Sequence, residues 1–124
     1  MGKRIFNEND GIDEDVCLMM YDNDPNFYMT ILDAFQKDCV RTVNGMKENY
    51  GAGNKDDYAV LVHGLKGAGG SAGAKHLVDI ATKSNNFMKA GRFDLAYEMH
   101  EDIINELERL ITLIPERVKS YTEG

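Results

Sequence analysis

Apolar residues recur along this chain at three- and four-residue steps over four long stretches, the spacing of a helix that buries one face. The first stretch holds Phe27 or Tyr28, Ile31, Leu32, Phe35, Cys39, Val43 and Met46. It starts sharply, because Asp24 can accept hydrogen bonds from the free amides of a first turn and Pro25 sits where a missing N–H costs nothing. Gly51-Ala52-Gly53 ends it. The second stretch runs from a cap at Asn54 or Asp56 through Tyr58, Leu61, Val62, Leu65, Ala68 or Gly69, and Ala72. The third spans about 74–90, with Leu77, Ile80, Ala81, Ser84, Phe87 and Met88 inward and Gly91 placed as a C-terminal cap. The fourth starts near Phe93 or Asp94 and carries Tyr97, His100, Ile103, Ile104, Leu107, Leu110, Ile111 and Ile114. Pro115 ends this helix or kinks it, the second alternative carrying it to about Tyr121.

A shorter helix is expected over Asp13–Tyr21, capped by Asp13, with Val16, Leu18 and Met19 or Met20 as its apolar contacts. Short connections between amphipathic helices predict an all-α fold, an antiparallel up-and-down four-helix bundle with this short additional helix at its N-terminal end. No alternating strand pattern competes. Residues 1–10 read as a flexible N-terminal tail, 11–118 as the bundle domain and 119–124 as a C-terminal tail.

Composition narrows the function. The 124 residues fit one domain, with 43% apolar and 28% charged residues. The formal charge of −7 argues against nucleic acid or an anionic membrane as partner. No apolar run is long enough to span a bilayer, and the polar start Met1-Gly2-Lys3-Arg4 lacks the apolar stretch of a secretory signal, so a cytoplasmic location is expected. Cys17 and Cys39 stand far apart inside apolar helical patterns and read as buried free thiols.

One segment is not ordinary core. His63-Gly64-Leu65-Lys66-Gly67-Ala68-Gly69-Gly70-Ser71-Ala72-Gly73 is crowded with glycine, and each interior helical Gly costs about 0.8–1 kcal/mol relative to Ala. Helical spacing nevertheless continues through Tyr58, Leu61, Leu65 and Ala68. At about 100° per residue, Gly67 lies about 40° from His63 one turn later, Gly70 about 20° away two turns later and Ala59 about 40° away one turn earlier. Lys66 lies about 60° to one side, whereas Leu61 and Leu65 lie about 160° away. His63 therefore points outward, in a field of missing side chains with one ammonium beside it. A solvated imidazole is a nucleophile near neutral pH, a neighbouring Lys can pair with phosphoryl oxygens, and flattened surroundings let another protein approach the ring. A plain surface histidine beside a Gly-rich helix is the competing reading of these residues alone.

His63-Gly64-Leu65-Lys66-Gly67, followed by Gly73, resembles the His-x-x-Lys-Gly…Gly signature of histidine-containing phosphotransfer (HPt) domains. Similarity extends over about 11–118: Gly11-Ile12-Asp13 at the entry to the first helix, the Phe35…Asp38 region, Gly73-Ala74-x-x-Leu77 and Ala90-Gly91. The resemblance implies that His63 accepts a phosphoryl group from a receiver-domain aspartyl phosphate or a kinase and relays it to another receiver. It implies that Lys66 stabilises phosphate oxygens, Gly67 leaves room for the partner and Gly73 shapes the following turn, with Gly70 and Ala59 shaping the site. The chain would be a phosphoryl carrier, not an enzyme, with no cofactor of its own; Mg²⁺ would sit on the receiver. Response-regulator receivers and a hybrid sensor histidine kinase are the implied partners of a monomeric domain. Gly64 departs from the pattern, which has a small side chain there.

Other readings fit less well. Gly67-x-Gly69-x-x-Ala72 imitates a dinucleotide fingerprint but lacks a preceding strand and a βαβ unit. Lys66 precedes its glycines, the reverse of a P-loop. His63, His76 and His100 lack the inward Glu-x-x-His pairs of bundle metal sites, so no metal is expected; His76 falls on a polar side and His100 reads as a partly buried, satisfied histidine. Glu98, Glu101, Asp102, Glu106 and Glu108 read as a solvated face. Ala59, Val60, Ala68 and Phe87 are candidates for an apolar docking patch. The alternative function is an interaction-only bundle that has lost phosphotransfer.

Overall fold

A computed structural model describes residues 3–124. Pro25 opens α2 (Pro25–Ala52), and Asp24 accepts hydrogen bonds from the amides of Asn26 and Phe27 at 3.0 and 3.2 Å. The other long helices are α3 (Lys55–Ala72), α4 (Lys75–Lys89) and α6 (His100–Glu123), with α1 (Glu14–Met20) and α5 (Phe93–Glu98) short. α2 packs against α3 and α6, and α4 closes the ring by packing against both of those. The architecture is the expected all-α bundle, and no strand occurs among the described residues. Of the pair Phe27 and Tyr28, the core takes Tyr28; it also takes Leu32, Phe35, Met46, Tyr58, Val62, Leu77, Ile103, Leu107 and Ile114. Cys17 and Cys39 are buried free thiols.

Five expectations are corrected. The fourth amphipathic stretch is two helices, divided at Met99, whose amide bonds to Ala96 O at 3.0 Å in a tighter turn before α6 restarts. α6 then runs through Pro115 to Glu123, so 119–124 is not a free tail. Residues 3–10 are not a loose tail either, while Met1 and Gly2 lie outside the described residues. Ile5 and Phe6 are buried, and both their amides donate to the Glu14 carboxylate at 2.9 Å. Arg117 grips Asp10 at two points, 2.8 and 3.2 Å, and this ties the N-terminal segment to the helix beyond Pro115.

The other two corrections concern faces. On α1 the buried residues are Glu14 and Cys17, whereas Val16, Met19 and Met20 point to solvent. Seven residues are too few for periodicity to choose a face; the Glu14 bonds choose it. Within the acidic run, Glu106 is only 8% exposed and forms a two-point ion pair with Arg109 at 2.8 Å. Glu98, Glu101, Asp102 and Glu108 are exposed as expected.

Candidate functional site

α3 turns Tyr58, Val62, Leu65, Gly69 and Ala72 into the core. That stripe leaves His63 on the opposite side, exposed, in the middle of the helix. Asn54 caps the start of α3 through the Asp57 amide, and Gly73 ends it in the left-handed region at φ +82°. The helix survives its glycines because both ends are capped and one face is buried.

The glycines divide into two kinds. A β-carbon on Gly69 would lie 2.9 Å from Val78 Cγ2, so this glycine lets α3 and α4 approach. One on Gly73 would lie 2.9 Å from Cys17 Sγ and 3.0 Å from the Asp13 carbonyl. A β-carbon on Gly64, Gly67 or Gly70 would point into open space, with nothing within 4 Å among the described residues. No contact among the described residues accounts for these three, although together they weaken the helix by about 2.5–3 kcal/mol relative to Ala. They lie beside and along the His63 side of the helix.

Lys66 is half-buried and pairs with no carboxylate among the described residues. Ala59, one turn before His63, is half-buried against the core. An open groove of about 410 Å³ runs between α2 and α3 beside the histidine, lined by Phe35, Val60, Gly64 and Ala68 among others. Of the apolar docking candidates, Val60 is 70% exposed while Ala59, Ala68 and Phe87 are half-buried. The α1 face of Val16, Met19 and Met20, with Phe27 beside it, is a larger apolar exposure that the sequence reading missed.

The three histidines are in different settings. His76 is exposed on α4. His100 is buried, its Nδ1 2.8 Å from Tyr58 Oη and its ring stacked 3.9 Å from Tyr50. Burial holds the His100 imidazole below its usual protonation range. Among the described residues no three His, Cys, Asp or Glu side chains form a group able to hold a metal. The Cys39 thiol, which lines the groove, is pushed up to about 12 by burial.

A family model described as Hpt domain matches residues 30–113, which span most of α2, all of α3 to α5 and the first half of α6. The chain belongs to the Hpt domain family. Searches of the curated proteins and of the solved structures found no match. Hpt domains are phosphocarrier modules that serve histidine phosphotransfer in phosphorelays and interact with receiver domains there. The Hpt match takes in His63, Lys66 and all the glycines around them. No described helix is long and apolar enough to cross a membrane.

Proposed function

We propose that this Hpt domain accepts a phosphoryl group on His63 from a receiver aspartyl phosphate, or from a kinase, and relays it reversibly to another receiver. The observation that carries the reading is the open ground around His63. A β-carbon on Gly64, Gly67 or Gly70 would meet nothing within 4 Å among the described residues, so the space their missing side chains leave serves something outside the chain. A second protein's phosphoryl site is the occupant that the family supplies.

In the transfer, a ring nitrogen of His63 attacks phosphorus, a P–N bond forms, and the aspartyl P–O bond breaks to release the receiver's carboxylate. The attacking nitrogen is the one without the proton in the neutral ring, and the other keeps its N–H, so no proton need leave the ring for the P–N bond to form. Lys66 follows three residues on and lends its ammonium to the phosphoryl oxygens. Mg²⁺, when bound on the receiver, neutralises charge on the same group. This chain contributes a nucleophile, a cation and access; the domain is a carrier rather than an enzyme. We infer a cytoplasmic monomer that works with response-regulator receivers and a hybrid sensor histidine kinase.

Incubation with a phosphorylated receiver tests the reading. The expected label on this chain is acid-labile and base-stable, and it is absent from His63→Gln. Label that persists on that variant overturns the assignment to His63, and a wild-type chain that takes no label favours the interaction-only alternative.

A further inference from the structure

At the end of the bundle where α3 begins, a second histidine joins four helices. His100 is the first residue of α6 and only 5% exposed. The Tyr50 ring, from the last turns of α2, lies flat on its imidazole, 3.9 Å away and 8° from parallel. Tyr58 of α3 sets its hydroxyl 2.8 Å from Nδ1. Tyr97 of α5 meets both tyrosines edge-on, 5.0 Å from Tyr50 and 5.1 Å from Tyr58. The Tyr97 hydroxyl is itself buried and finds no hydrogen-bond partner among the described residues.

This aromatic box suits a neutral imidazole and opposes a charged one. Burial is the main cause, Lys47 of α2 adds repulsion, and Glu101 of α6 favours the charge but is exposed. The free amides at the N-terminus of α6 also disfavour a cation there. Other charged groups nearby are engaged or solvated: Asp57 with Asn54, Asp94 with Arg92, Lys55 over the Phe93 ring, Glu98 in solvent. Among the described residues no carboxylate comes within ion-pair distance of His100.

α5 is the wall that can yield. Its six residues are too few to hold a helix alone, and only Ala96 among them is fully buried. It hangs between Gly91, at φ +76°, and the tight turn at Met99. Segments with so little buried surface open far more readily than core helices. We infer that α5 is a proton-gated flap: a proton taken up from solvent by His100 releases α5 and the Met99 turn from the aromatic box, while α2, α3 and α4 stay folded around the His63 helix. With α5 open, water reaches the imidazole and its ordinary value of 6.5 returns. Only the open form then binds the proton, so opening gains weight as pH falls through 6.5, by about tenfold for each further unit.

Hydrogen–deuterium exchange of the full chain at pH 7.5 and 5.5, corrected for intrinsic rates, tests the flap. Protection of residues 93–100 is expected to fall by up to about tenfold at the lower pH, and that of residues 62–69 in α3 to stay unchanged. His100→Gln is expected to abolish the fall. Tyr97→Phe, which removes the unpartnered hydroxyl, is expected to raise protection of 93–100 at both pH values and to keep the pH response. Protection of 93–100 that does not change in the wild type, or an equal loss in α3, overturns the inference whether or not the variants fold. A folded His100→Gln chain that keeps the pH response overturns it as well.

Discussion

Gly69 and Val78 sit so close that a β-carbon on the glycine would lie 2.9 Å from the valine Cγ2, whereas a β-carbon on the next residue, Gly70, would meet nothing within 4 Å among the described residues. Neighbours in sequence therefore respond oppositely to the same substitution. Gly67→Ala and Gly70→Ala are each expected to stabilise the fold by about 0.4–1 kcal/mol, since the new methyl meets no atom and the unfolded chain loses freedom. Gly69→Ala is expected to destabilise by pressing α4 away, and Gly73→Ala by forcing a side chain into φ +82° against Cys17, about 1–3 kcal/mol for the backbone alone. Urea denaturation of the four variants checks the signs. Gly67→Leu is expected to block transfer from a receiver while phosphoramidate still labels His63.

Lys66 is tested by rate. Lys66→Ala is expected to slow transfer about tenfold, the loss of one screened charge-assisted contact, with Tm within a degree or two of wild type. Quench-flow measurement of label transfer from a receiver reads this; an unchanged rate removes Lys66 from the mechanism.

His100 sets a pH dependence of stability. Its folded-state protonation is depressed by burial from the ordinary 6.5. Above that value both folded and unfolded histidine are neutral and nothing is lost. As pH falls through 6.5 the unfolded chain takes up a proton that the folded chain refuses, so stability decreases on the acid side. Once protonated, Nδ1 can only donate to Tyr58 Oη. Denaturant midpoints between pH 7.5 and 5 are expected to fall for the wild type and to fall less for His100→Gln, which keeps a hydrogen-bonding group but cannot titrate.

The thiols are expected to be inert in the native protein. Cys17 and Cys39 are buried and burial raises both, Cys39 to about 12. Ellman's reagent should find no fast-reacting thiol until denaturant is added, then two.

The sequence by itself determined what depends on neighbours within a turn or two. Asp24 with Pro25, Asn54, and the three-and-four spacing of the core residues fix where the long helices run, because caps and periodicity are local. The same projection put His63 outward and Gly67 and Gly70 beside it. Only the tertiary structure decided which glycines were structural, since Gly69 answers to Val78 and Gly73 to Cys17, on other helices. It alone turned α1 over and drew residues 3–10 onto the fold, through Glu14 with the Ile5 and Phe6 amides and Asp10 with Arg117, 107 residues away. It buried Glu106 by pairing it with Arg109 and capped the His63 helix with Tyr21 and Tyr28. Helical periodicity reports one element's own face; it carries no record of which distant side chain will satisfy a carbonyl or fill a gap.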